Sequence, residues 1–434
     1  MKELSMLKNS HILASTLLLM TMNYAHAEQA FDPQGQYFFG DWNGKRTELA
    51  QKGIKFESHL RADSTYLMDG GRNSRADPEI ASQLWLGSTL DMEKLAGWDG
   101  VIINAVITAR QGQSTGPRNI QDPSAPILGN VQGAYGRGNQ DSRITTLTIE
   151  KNFKDLGLNI KLGRMGIGAD FDYMPCDFQN MSFCAAQMGK WQSSIWKNAP
   201  SAQWGARVKY NLSPEWVASV GVYQFNPDDG NAKAEGQGWS MDADNADGVT
   251  VPVEIMWQPK SFINSLAGTY RFGAMYNTSD DPANQYDITN KNIPEDRSFG
   301  GWIAIEQQLT STGSGKQGLH GFANFTWHDR ITTKVDNSQQ FGFKYYGLFD
   351  SRPQDFLGFG FDRIHLNRRF VDAKKAVGNH SFDAGAEYDV ELNYNYFPTK
   401  WLLLRPNLQY IANPGGTRKV DDAWVLGLST KLIF

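Results

Sequence analysis

Between Phe56 and Tyr66 the chain alternates with a period of two. Even positions Phe56, Ser58, Leu60, Ala62, Ser64 and Tyr66 are apolar or small, and odd positions Glu57, His59, Arg61, Asp63 and Thr65 are polar. Successive side chains point to opposite faces of a strand, so the segment reads as a strand with one ionisable face. The charges of Glu57, His59, Arg61 and Asp63 cannot enter a dry sandwich core without a prohibitive loss of hydration. That face must meet water or a wet channel. The pattern recurs. In 202–212, Gln203, Arg207, Lys209 and Asn211 oppose Ala202, Trp204, Ala206, Val208, Tyr210 and Leu212. In 266–277 the polar face carries Thr269, Arg271 and Asn277, and in 386–396 it carries Glu387, Asp389, Glu391, Asn393 and Asn395.

Segments of this kind fall near 55–67, 79–92, 100–111, 142–153, 157–166, 201–212, 215–226, 250–258, 264–277, 298–310, 318–329, 339–349, 356–367, 383–397, 400–411 and 423–434, sixteen in all. Transmembrane strands have about this length, and about sixteen of them enclose an aqueous lumen instead of a packed core. The expected fold is therefore all-β: a transmembrane antiparallel β-barrel of about sixteen strands over 55–434. Short turns such as Ser213-Pro214, Pro259-Lys260 and Pro398-Thr399 alternate with long polar loops such as 227–249 and 278–297. Barrels place the short turns in the periplasm and the long loops outside. Trp98, Trp216, Trp257, Trp302, Trp327, Trp401 and Trp424 lie near segment ends, as aromatic girdles at two membrane interfaces would.

The ends of the chain agree with that compartment. Lys2 and Lys8, the apolar Ile12 to Met22 and the Ala25-His26-Ala27 site form, in order, a secretory signal peptide over 1–27. Residues 28–54 are expected to form an N-terminal periplasmic segment, with Asp41 capping a short helix over Trp42 to Gln51 and Gly53 ending it. No later stretch approaches about 18 uncharged apolar residues, so helical spans are not expected. The mean hydropathy of −0.48 does not argue against membrane insertion, because lumen and lipid faces average out along each strand. The last strand, Ala423 to Phe434, puts Trp424, Leu426, Leu428, Thr430, Leu432 and Phe434 on one face. A final amphipathic strand closing on phenylalanine resembles the signal read by the barrel-assembly machinery of Gram-negative outer membranes. Outer-membrane lipid and that machinery, through Phe434, are the expected partners. The apolar band is compatible with a monomer or a homotrimer.

A net charge of −4 makes nucleic acid an unsuitable partner. Enzyme motifs are absent: Gly313-Ser314-Gly315-Lys316-Gln317 lacks the glycine and hydroxyl of a P-loop, and neither G-x-S-x-G nor H-E-x-x-H occurs. No metal or cofactor site is read. The acidic run Asp242, Asp244, Asp247 has Ala246 at a ligand position and reads as an external loop. Selectivity is expected in the interruption 167–200, which holds Asp170, Asp172, Trp191, Trp196 and both cysteines. In an oxidising periplasm Cys176 and Cys184 read as a disulfide, and a stapled loop suits a segment folded into a pore. A stapled surface loop is the alternative. Arg110, Arg143, Arg164, Arg207 and Arg271 are assigned to lumen-facing phases, where guanidinium donors meet hydroxyls and aromatic rings stack on sugars.

Gly40-Asp41-Trp42-Asn43-Gly44-Lys45-Arg46 with Leu49 and Gly53 resembles the N-terminal signature of the carbohydrate-selective porin (OprB) family. Pro175-Cys176-Asp177-Phe178-Gln179-Asn180 with Phe183-Cys184, and Gln203-Trp204 with Arg207 to Leu212, are similar to two further segments of that family. The resemblance spans nearly the whole mature chain. It implies a sixteen-stranded outer-membrane porin passing glucose and other small sugars, with Arg110 at the constriction. Relatives tend to carry an acidic residue in the segment matching Val131-Gln132-Gly133, where this chain has Gly133. Two alternatives stand beside it: a general or organic-anion-preferring porin, and an outer-membrane barrel enzyme, for which only His59, His320, His328, His365 and His380 are available as bases.

Overall fold

The two-residue period becomes a ring of strands in the computed structural model, which describes residues 28–133, 140–184, 195–225, 238–239, 241, 246–279, 285–313 and 315–434. The proposed signal peptide and Trp191 lie outside the described residues. The helix α1 (Lys45–Gln51) precedes the strands β1 (Ile54–Gly71), β2 (Glu79–Asp91), β3 (Val101–Gly112), β4 (Gln140–Phe153), β5 (Leu158–Met165) and β6 (Gln203–Asn211). There follow β7 (Trp216–Gln224), β8 (Val249–Trp257), β9 (Gly268–Asn277), the short β10 (Tyr286–Asp287) and β11 (Asn290–Pro294), and β12 (Ser298–Gln308). The last are β13 (Gly318–His328), β14 (Val335–Tyr346), β15 (Phe356–Leu366), β16 (Ala386–Thr399), β17 (Leu402–Ala412) and β18 (Asp421–Ile433). All but β10 and β11 pair antiparallel with their neighbours in sequence, and β1 pairs with β18 to close the sixteen-stranded barrel. Each strand matches one expected segment; the β10–β11 hairpin sits within the 278–297 loop.

Burial along the strands is inverted relative to a water-soluble protein. On β16, Glu387, Asp389, Glu391, Asn393 and Asn395 are buried while Leu392 is 46% exposed. On β18, Trp424, Leu426 and Leu428 are exposed while Val425 and Ser429 are buried. Polar residues inside and apolar residues outside are what lipid around an aqueous lumen demands. A slip of one residue would exchange every face, so the pattern pins the register. Stacked Trp216 and Trp257, 5.6 Å between centroids, mark one rim, and Tyr410 with Trp424, at 4.8 Å, mark the other. Trp302 departs from the girdle expectation. It is fully buried and inward, its indole lying over Gly273, where a Cβ would come within 2.1 Å of the ring.

The N-terminal segment docks at the seam between β1, β17 and β18. The Phe38 N–H donates to the Ile433 carbonyl at 2.8 Å, the Phe434 N–H to Ser58 at 2.9 Å, and the Trp401 indole to Asp32 at 2.9 Å. Phe39 packs on Phe434, and Trp42 on Phe56. The helix is shorter than expected because Trp42, Asn43 and Gly44 take positive φ. The N-cap position is taken by Gly44 and not by Asp41, although the Asp41 side chain accepts from the Thr47 N–H in the first turn at 2.9 Å.

Candidate functional site

Two loops fold inward from one end of the barrel. The first follows β3, and residues 114–132 are largely buried. Ser114 donates to Asn130 at 2.8 Å, the Thr115 N–H to Gln132 at 2.7 Å, and Gln132 to the Asp63 carbonyl on β1 at 2.9 Å. Gln409 on β17 donates to the Val131 carbonyl at 3.0 Å. The second follows β5 and crosses to strands on the far side of the ring, stapled by the Cys176–Cys184 disulfide. The loops meet where the Met181 N–H donates to the Asn130 carbonyl at 2.7 Å.

The acidic face of β16 grips both. Glu391 accepts from the backbone N–H groups of Gln179 at 2.9 Å and Asn180 at 2.7 Å. Asp389 accepts from the Ser182 hydroxyl at 2.5 Å, and Glu387 from the Gly129 N–H at 2.6 Å and from that of Gly415. On β17, Arg405 donates to the Phe178 carbonyl at 2.9 Å, and Asn407 to Gln179 at 2.7 Å. Buried carboxylates that accept backbone N–H bonds satisfy groups that would otherwise be orphaned in the loop. The period-two run of acids was visible in the sequence, but nothing there said which loop would reach it.

Several residues expected at the constriction serve as anchors beneath the second loop. Asp170 takes Lys161 at 2.9 Å and Arg207 at 3.2 Å, and Arg207 is only 2% exposed. Asp172 donates its N–H to Glu254 at 2.9 Å and accepts from Asn324 at 2.6 Å. Glu254 also receives Arg271 at 2.9 Å and the Trp302 indole at 2.8 Å. Trp196 is buried edge-on to Trp302 at 5.6 Å. Arg164 departs from its assigned phase. It pairs in register with Leu147 and Trp204, on the face of the exposed Leu162 and away from Arg207.

Three of the candidate arginines share the inner face of β1 to β4. Arg61 opposes Gln83, Gln83 opposes Arg110, and Arg143 opposes Thr108, which neighbours Arg110 on that face. Arg110 donates to Gln83 at 2.6 Å, and Arg61 to Asp63 at 3.0 Å. His59 stacks on Trp85 at 5.7 Å, and Glu57 is exposed towards the start of β1. Gly133 lies against Arg61: a Cβ there would fall 2.3 Å from Nη2. Beyond the strands, Asp122 is held below the usual carboxylate range, chiefly by the Ser124 N–H at 2.8 Å, then by the Ser124 hydroxyl and Lys419. The sequence did not single out Arg405, Lys344 or Lys431. Each sits on an inward phase, but neighbouring strands alone decide what it meets.

An outward apolar belt, a polar interior and loops crossing the lumen define a channel-forming barrel of the Gram-negative outer membrane. Residues 75–434 match the family described as carbohydrate-selective porin, OprB family. The chain is similar to Porin B of Pseudomonas aeruginosa, 39% identical over 94% of each chain. It is also similar to Putative porin QuiX of Acinetobacter baylyi, 40% identical over 92% of this chain and 93% of that one. The high-pH structure of Pseudomonas putida OprB superposes with a TM-score of 0.86 at 37% identity, covering 94% of this chain and 100% of that one. The chain belongs to the carbohydrate-selective porin (OprB) family, and it is an outer-membrane sugar porin.

Proposed function

We propose that small sugars, glucose among them, diffuse passively to the periplasm through the space that the two inserted loops leave beside β1 to β4. Arg61, Arg110 and Arg143 line that side, and the guanidinium groups supply hydroxyl donors without holding the solute tightly, since conduction requires weak binding. Asp170, Asp172, Arg207 and Trp196 hold the second loop in place. There is no covalent chemistry and no energy coupling. Phe434 addresses the chain to the assembly machinery, and the apolar belt contacts lipid or, in a homotrimer, the next barrel. The observation that carries the reading is the loop–wall network, which fixes two loops across a lumen that sixteen strands would otherwise leave wide. Liposome swelling with purified protein tests it: glucose should enter faster than a size-matched amino acid, and equal rates would reject the sugar preference. Substitution Arg110→Ala should raise both rates and narrow their ratio.

A further inference from the structure

The cations of the inner wall are unevenly neutralised. On one arc, Lys161, Arg207, Arg271 and Lys344 each have a carboxylate, at 2.9, 3.2, 2.9 and 2.7 Å, and Lys209, which has none within salt-bridge distance among the described residues, lies beside Asp170. On the arc around β1, β17 and β18 three cations meet one close carboxylate. Arg61 and Lys431 are direct register partners, and Arg405 lies two residues from Leu403, the other partner of Lys431. Arg61 has Asp63 at 3.0 Å, whereas Arg405 donates to neutral acceptors, Asn395 at 2.6 Å and the Phe178 carbonyl. Lys431 has no carboxylate within salt-bridge distance among the described residues. The loop facing Arg61 presents Gly133, and the stretches 134–139 and 185–194 contain no Asp or Glu in their sequence.

We propose that Arg61 and Lys431 form a binding site for the carboxylate of a sugar acid, a polyhydroxylated monocarboxylate that enters beside neutral sugars. Arg61 is 17% exposed and Lys431 is half-buried, so both are reachable from the lumen yet partly desolvated. Adjacent cations in such a site attract an anion more strongly than in bulk water, and Gln83 offers an amide to a neighbouring hydroxyl. This inference rests on the sugar-porin reading and narrows it.

Gluconate and glucose differ little in size and hydroxyl number, so they isolate the charge. Both are to be titrated as blockers of single-channel current through the purified full-length mature protein, with glucose swelling assays in parallel. Gluconate should half-block at roughly tenfold lower concentration than glucose, and the advantage should shrink as salt rises. Lys431→Gln should bring the ratio towards one. Gly133→Glu, whose Cβ displaces the Arg61 guanidinium and whose carboxylate neutralises it while β18 stays intact, should do the same. Equal half-block by the two solutes in the native protein overturns the site, as does a native ratio that survives both substitutions. Tight gluconate block without glucose entry would instead reject the sugar-porin reading and leave the carboxylate site standing.

Discussion

Glu391 accepts hydrogen bonds from two consecutive backbone N–H groups, those of Gln179 and Asn180, inside the barrel wall. Removing the carboxylate leaves both donors buried without an acceptor, at about 1–3 kcal/mol each. Glu391→Ala should therefore loosen the second loop while the ladder of β16 stays intact. Mean single-channel conductance should rise and the open current become noisier. Glu391→Gln keeps one carbonyl oxygen as acceptor and should give a smaller change. Unaltered current in both variants would show that this carboxylate does not hold the loop. The sequence marked Glu391 as lumen-facing, since period-two alternation fixes the face. It gave no sign of an anchor, because the partner lies 211 residues away.

The second loop is the element in which expectation and structure differ most in meaning. The sequence points to residues 167–200 as the stretch where the channel chooses, with Asp170, Asp172 and Trp196 among its lining. The described parts of the loop, 167–184 and 195–200, lie inside, but those side chains turn towards the wall, with the Phe171, Trp196 and Trp302 cluster buried between them. A loop must first satisfy its own backbone and charges before it can present anything to a solute, and its polar residues are spent on that. The disulfide adds a local restraint. Closing a loop with a sequence separation of 8 lowers the entropy of its opened state by an amount equivalent to about 2–3 kcal/mol. The double variant Cys176→Ser/Cys184→Ser should leave barrel melting unchanged but make residues 167–200 more open to protease. A parallel loss of barrel stability would mean the staple supports the wall as well.

At the scale of the whole molecule, closure depends on β1 meeting β18, and the N-terminal segment lies across that seam. It contributes the Phe38 to Ile433 hydrogen bond and the Phe39–Phe434 and Trp42–Phe56 contacts, with Arg46 stacked 3.7 Å over Tyr37. Deleting 28–52 should leave the β1–β18 register intact but lower the temperature at which the folded band converts to the unfolded one in unheated-to-boiled gel series. An unchanged conversion temperature would make the segment a passenger on the barrel.

The sequence by itself determined the strand number, the antiparallel ring, the face of each residue in the most regularly alternating strands and the compartment. These follow from a local period of two and from segment length, both of which the bilayer dictates. It misjudged Trp302 and Arg164, whose surroundings depend on neighbouring strands: Gly273 makes room for the indole inside, and the β5 register carries Arg164 to the face of Leu162. Only the tertiary structure decided which charges are neutralised. Asp170 finds Lys161 and Arg207, Asp177 finds Lys344, and Lys431 is left beside Arg61. Charge pairing acts across ring neighbours and across the lumen, over distances in sequence that no local pattern records.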